Sequence, residues 1–209
     1  MKKYSKYQDY VIKDGKFIGE FENMYKDYED PWNQTFREVH SLEKTIAIDI
    51  LKCKGHEKPL EYGCGLGHYT NRLYESLGNA AGIDISETAI KKANKTYPHI
   101  NFFHADVLDF DIIDKINPDC LCYVEITWYI LDKLEDLKAG LLKNYTGKGF
   151  YHSLQTYNNK EQQYGLNYFT DMDSIINYWK DAINITEWGV VSDPGNSGGS
   201  RTFLYGKIK

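Results

Sequence analysis

Apolar positions along the chain follow two rhythms that alternate. Over residues 35–53, Val39, Leu42, Ile46, Ile48 and Leu51 form one apolar stripe, which predicts a helix. Pro59-Leu60-Glu61-Tyr62 predicts a short strand stopped by Gly63, and a helix follows over about 69–77. Strands are expected at 80–85, 100–104, 120–126 and 149–155, with helices over about 87–96, 132–144 and 171–180. Two final strands, 183–191 and 201–207, have only the loop 192–200 between them, so they predict an antiparallel pair at a sheet edge. The expected fold class is α/β: a doubly wound, seven-stranded, mostly parallel sheet with an antiparallel last pair. Residues 106–114 read as an acidic turn region. Residues 1–31 mix aromatic, lysine and acidic positions with short apolar clusters such as Phe17-Ile18.

Composition narrows this picture. The 209 residues suit one domain, here 1–209, with 1–31 as an N-terminal lid or cap segment. Hydrophobic residues make up 42% and charged residues 26%, a globular balance. No apolar run approaches the roughly 18 residues of a membrane span, and Met1-Lys2-Lys3 is not followed by the apolar stretch of a secretory signal. A cytoplasmic protein without a membrane partner, monomeric or homodimeric, is therefore expected. The net charge of −5 argues against a nucleic-acid partner. Cys53, Cys64, Cys120 and Cys122 lack metal-knuckle spacing, so free thiols and no metal are expected.

The chemistry concentrates at strand ends. Gly63, Gly65 and Gly67 lie between a strand and a helix, where the chain must turn sharply and its backbone can approach a ligand. Asp84 ends the next strand, where an acid can accept both hydroxyls of a ribose; capping the following helix is its alternative role. Asp106 follows the third strand and can accept from an adenine amino group, or serve only as a turn residue. A nicotinamide dinucleotide enzyme would want G-x-G-x-x-G, but His68 stands where that third glycine would fall.

Glu61-Tyr62-Gly63-Cys64-Gly65-Leu66-Gly67 resembles the first motif of class I S-adenosylmethionine-dependent methyltransferases, and the resemblance extends through Asp84, Asp106 and Glu125-Ile126-Thr127-Trp128-Tyr129 over roughly residues 40–209. The resemblance implies a Rossmann-like enzyme using S-adenosylmethionine. Glu61 would orient the loop or reach the donor's amino group, and Gly63 and Gly65 would pass under its methionine part. Asp84 and Ile85 would take the ribose, and Asp106 and Val107 would frame the adenine, with Glu125 nearby. Asp30-Pro31-Trp32 is similar to segments in small bacterial enzymes related to nodulation N-methyltransferases and antibiotic-tailoring enzymes, which implies that Trp32 and Arg37 cover the donor; packing of a helix start is the other reading of Trp32. The stretch from Tyr7-Gln8-Asp9-Tyr10 to Phe21 also looks like enzymes of surface-polysaccharide pathways.

On the acceptor side the chain lacks the D/N-P-P-Y/F motif of enzymes that methylate nucleic-acid amino groups, so a small-molecule acceptor is expected. Sugars, phosphoramidates and nucleotide-linked precursors of surface polysaccharides are the range considered. Glu125 is the foremost candidate acid or base. His152, inside the fifth strand, is either a base or a satisfied structural histidine. Thr127, Trp128, Gln155 and Tyr157 are pocket candidates, His40 a possible donor contact, and His68 a helix-opening residue. The loop 195–199 reads as a pocket border or a plain hairpin loop. An NAD(P)-dependent oxidoreductase and a non-catalytic S-adenosylmethionine-binding protein remain the competing functions.

Overall fold

The computed structural model of the chain describes residues 2–37, 41–157, 164–192 and 199–209. Five short parallel strands carry the sheet: β3 (Pro59–Tyr62), β4 (Ala81–Asp84), β5 (Asn101–His104), β6 (Cys120–Val124) and β7 (Gly149–Tyr157). Each is followed by a helical stretch that returns the chain to the same edge, as parallel pairing requires. Those helices are α4 (His68–Leu77), α5 (Glu87–Thr96), α6 (Phe110–Ile116), α7 (Leu134–Asn144) and α8 (Met172–Trp179). β8 (Ile183–Ser192) and β9 (Gly199–Ile208) complete a sheet of order β5-β4-β3-β6-β7-β9-β8. β9 pairs antiparallel with both β7 and β8, so it is the one reversed strand and β8 forms the edge. The expected sheet, with its antiparallel final pair, is present.

Alternation along the strands divides the core in two. Leu60, Tyr62, Leu121, Tyr123 and Phe150 point to one face, where residues of α6, α7 and α8 cover them. Cys120, Cys122, Val124 and Tyr151 point to the other, against α4 and α3 (Leu42–Cys53). Cys53 is exposed, and the other three thiols are buried.

Three local expectations change. The helix expected over 35–53 is two: α2 (Gln34–Arg37) and α3, which begins after Ser41 in extended conformation; residues 38–40 lie outside the described residues. The acidic stretch 106–114 contains the start of α6, because Asp109 caps its first turn by accepting from the Ile112 N–H at 3.2 Å while Ile113 and Ile116 are buried. The N-terminal segment, read from sequence without regular elements, is built. Its two-residue strands β1 (Ile12–Lys13) and β2 (Lys16–Phe17) form a hairpin turned at Asp14-Gly15, both with positive φ, and α1 (Phe21–Asp27) follows. Tyr10, Val11, Met24 and Tyr25 are buried together with Leu66 and Ala89, so the segment completes its core only against the main domain.

Candidate functional site

The glycine loop connects β3 to α4 at the C-terminal ends of the parallel strands. Gly63 has φ +68° and Gly65 φ +54°, left-handed values that favour glycine. A Cβ on Gly63 would lie 2.3 Å from Ile126 Cγ2, and one on Gly65 would lie 2.6 Å from both Tyr25 Oη and Gln34 Oε1. Glu61, buried one residue before the strand ends, accepts a hydrogen bond from the Thr70 hydroxyl, which ties β3 to the first turn of α4.

Asp84 is 7% exposed at the end of β4. One carboxylate oxygen accepts from the Gly65 N–H at 2.9 Å and the other from the Ser86 N–H at 2.8 Å. The α5 cap is Ser86, whose hydroxyl accepts from the Ala89 N–H at 3.1 Å. Asp84 therefore clamps the glycine loop to the start of α5 instead of capping the helix. Burial pushes its carboxyl up to about 6, against the two N–H groups that favour the charged form. Asp106 accepts from the Leu108 N–H at 3.0 Å and pairs with Lys133. Ile85 is exposed and Val107 is half-buried, so the strand ends offer apolar surface beside these acids.

The N-terminal segment lies over this loop. Asp30 accepts from the Gln34 and Thr35 N–H groups at 2.7 and 2.9 Å, which starts α2 and aims Gln34 at the loop. Gln34 Oε1 then accepts from the Leu66 N–H at 3.0 Å. Tyr25 is buried, is hydrogen-bonded to Trp32 and has its hydroxyl held well above its ordinary pKa by burial. Trp32 packs on Tyr7 and Tyr129 at 5.1 and 5.6 Å between ring centroids. Glu22 accepts from the Ser86 hydroxyl and from the Thr88 N–H and hydroxyl, which lowers its carboxyl to about 2 although its own burial works the other way. Lys92 of α5 donates to the carbonyls of Tyr25, Tyr28 and Glu29. The structure thus places Trp32 near the loop. Arg37 ends α2, its side chain outside the described residues; His40 lies outside them altogether. His68 bridges Tyr97 and Thr35 at 2.6 and 3.3 Å.

The opposite wall centres on Glu125. Its φ of +60° is a strained value for a residue with a side chain. Oε2 accepts from the Gln155 N–H at 3.0 Å, while Oε1 is buried without a hydrogen-bond partner among the described residues. Burial, reinforced by the nearby Glu43 charge, raises the carboxyl to about 7. Glu43, on the first turn of α3, is 3% exposed; it accepts from the Ser41 hydroxyl and pairs with Arg201 at 3.4 Å.

Two expected pocket residues turn away. The single turn Thr127–Tyr129 after Glu125 directs Thr127 and Trp128 into the core, where Trp128 donates to the Gln155 carbonyl at 2.9 Å. His152, one of the two candidate bases, is fully buried against Phe150 and Trp179 and bonds Thr127 Oγ1 at 2.8 Å. Burial lowers its pKa to about 3. We therefore assign it to packing, the other role its strand position allowed. Tyr157 is exposed, and loop positions 195–198 lie outside the described residues.

Glu22, Tyr25, Gln34, Glu43 and Arg201 escaped the sequence reading. Among the described residues no cluster of His, Cys, Asp or Glu forms a metal site, and no helix is long and apolar enough to cross a membrane.

A glycine turn after the first parallel strand, acids at the next two strand ends and one reversed strand beside the edge make up the Rossmann-like fold seen in class I methyltransferases. Comparison agrees: residues 60–137 match the model of a methyltransferase domain. Malonyl-[acyl-carrier protein] O-methyltransferase of Hamiltonella defensa subsp. Acyrthosiphon pisum (strain 5AT) is 26% identical over 110 residues, 51% of this chain and 41% of its own. The chain spans about two fifths of the length of the first curated relatives it matches. Among solved structures, the N-methyltransferase NodS of Bradyrhizobium japonicum WM9 has a TM-score of 0.62 at 16% identity, covering 86% of this chain and 93% of that one. The PH0226 protein of Pyrococcus horikoshii OT3 has a TM-score of 0.64 at 15% identity, covering 88% and 98%. These structural likenesses establish the fold.

Proposed function

We propose that the chain transfers the methyl group of S-adenosylmethionine to an oxygen or nitrogen atom of a small metabolite in the cytoplasm. The observation that carries this reading is the Asp84 carboxylate, buried at a strand end and clamped to Gly65. The NodS structure was solved with S-adenosyl-L-homocysteine, which supports the same donor here. When bound, the donor supplies a methyl carbon already activated on a sulfonium, so this chain's share of the work is alignment and exclusion of water. Gly63 and Gly65, in left-handed backbone, carry the loop under the donor's methionine part, and Glu61 fixes the loop. Asp84 accepts from the ribose beside Ile85, and Asp106 with Val107 borders the adenine. Trp32, with Arg37 at the end of α2, closes the donor side from the N-terminal segment, which acts as a lid over residues 63–67. Glu125 faces the acceptor. A sugar or a nucleotide-linked sugar of a surface-polysaccharide pathway suits this wall better than an anionic phosphoramidate, because two acids, Glu125 and Glu43, stand at it.

Calorimetry with S-adenosylmethionine, S-adenosylhomocysteine and NAD tests the reading. Both sulfur ligands are expected to bind and NAD is not; binding of NAD alone would return the chain to the oxidoreductases. Formation of S-adenosylhomocysteine with an acceptor present separates an enzyme from a protein that only holds the donor.

A further inference from the structure

Two acids lie together at the acceptor wall, Glu43 buried and Glu125 half-buried, and among the described residues only Glu43 has a cation within ion-pair distance. Glu43 is matched by Arg201 at 3.4 Å and by the Ser41 hydroxyl. Lys44, the other cation near Glu125, has its ammonium 5.1 Å from the Tyr69 ring centroid. Tyr151 fills the space behind, its hydroxyl donating to the Glu43 carbonyl at 2.9 Å. Glu125 is left with Oε1 buried and no hydrogen-bond partner among the described residues. β6 and β3 pair in register at Tyr123 and Tyr62, so the backbone of Glu125, just past the end of β6, stands beside the glycine loop that follows β3. A buried carboxylate oxygen is costly unless it meets a donor, and an ionised one is satisfied best by a cation.

Resting on the methyltransferase reading above, we propose that the acceptor is a primary or secondary amine, held as its ammonium ion against Glu125, with Glu43 as the positioning acid behind it. An alcohol would supply a hydrogen bond but no charge, and an anionic acceptor would meet two carboxylates. The chemistry closes. Glu125 takes one proton from the ammonium ion, and the freed nitrogen lone pair forms the N–C bond. The C–S bond breaks with its electron pair left on sulfur. The methylated ammonium product leaves, and Glu125 returns its proton to solvent, so one proton is released per turnover. The Glu43 charge opposes ionisation of Glu125 and so keeps it a stronger base, while Arg201 and Lys44 act in the opposite sense.

The test uses the full chain loaded with S-adenosylhomocysteine. Calorimetry compares glucosamine with glucose, and n-propylamine with n-propanol. At least one amine is expected to bind about tenfold or more tightly than its hydroxyl counterpart, and Glu125→Gln should erase that preference while Gln155 still finds an acceptor. Equal binding within both pairs, no binding of either amine, or a preference that survives Glu125→Gln overturns the proposal. Failure of S-adenosylhomocysteine itself to bind sinks the donor reading instead, so the two failures are distinguishable. For Glu43, the readout is the acid limb of kcat/KM for the amine. Glu43→Gln removes a like charge, so the limb is expected to move to lower pH with donor affinity unchanged; an unmoved limb would reduce Glu43 to packing.

Discussion

Asp84→Asn separates a donor-binding role for this acid from a purely structural one. In the wild type the carboxyl is raised from 3.8 to about 6, and the group is 7% exposed. A folded-state pKa above the unfolded one means that the native state holds the proton more tightly. Stability is thus greatest below about 4 and falls as pH rises towards 6, by about 3 kcal/mol in all. The amide variant lacks that penalty at neutral pH. It accepts only one of the two N–H groups, from Gly65 and Ser86, that Asp84 satisfies now, and the orphaned donor costs about 1–3 kcal/mol. The two effects nearly cancel, so Tm at pH 7 is expected to stay within several degrees of wild type. Affinity for S-adenosylhomocysteine should nevertheless fall by about 10- to 150-fold, the equivalent of charge-assisted bonds to the ribose hydroxyls. Calorimetry and thermal denaturation on the same samples give both numbers. Unchanged affinity with Tm lowered by more than about 10 °C would refute the argument and leave Asp84 as a clamp alone.

Deleting residues 1–31 uncovers Leu66 and Ala89, and should weaken donor binding and abolish turnover while circular dichroism still reports a folded domain; unchanged turnover would sink the lid. Gly65→Ala places a methyl group where Tyr25 Oη and Gln34 Oε1 stand and adds about 1–2 kcal/mol of backbone cost, so it should raise the Kd for S-adenosylhomocysteine and expose residues 2–37 to limited proteolysis. Glu22→Gln should have the same proteolytic signature, and its acid dependence follows from a carboxyl lowered to about 2: the wild-type contribution is complete above about pH 4.5 and is lost as pH falls towards 2. His152, lowered to about 3, stays neutral in the fold while the unfolded chain takes up a proton below about 6.5. Its stabilising effect is therefore present above pH 6.5 and lost towards pH 3, by up to about 5 kcal/mol; urea titrations of His152→Leu across that window should be flatter than those of wild type.

The glycine turn and the acids beside it were legible because they are fixed by local necessity. Gly63 and Gly65 adopt left-handed backbone, Asp84 ends β4, and Asp106 follows β5 by two residues. Thr127 and Trp128 were expected at the pocket because positions just past a strand end face the site in such folds. The positive φ of Glu125 and the single turn after it bury both side chains instead, and nothing in the residue types announces that φ. α6 was missed because its two turns interleave acids with Ile112, Ile113 and Ile116, too short a stretch for periodicity to stand out. The N-terminal hairpin did carry a signal, Asp14-Gly15 between apolar positions. The core it belongs to could not be read locally, since Leu66 and Ala89 complete it from far along the chain. Glu43 and Arg201 meet across 158 positions, beyond the reach of any spacing rule.

The placement of β9 between β7 and β8 has a consequence for how the chain must be made. β8 leaves the ribosome first but finds no partner in the finished order until β9 follows it. Until then β7 presents an open edge nine residues long, with Phe150, Tyr151 and Leu154 near it, and Trp188 and Val190 have no strand to hold them in place. A message truncated before residue 199 would thus cost two strands instead of one, and leave a nascent chain with a sticky flank rather than a slightly shortened enzyme.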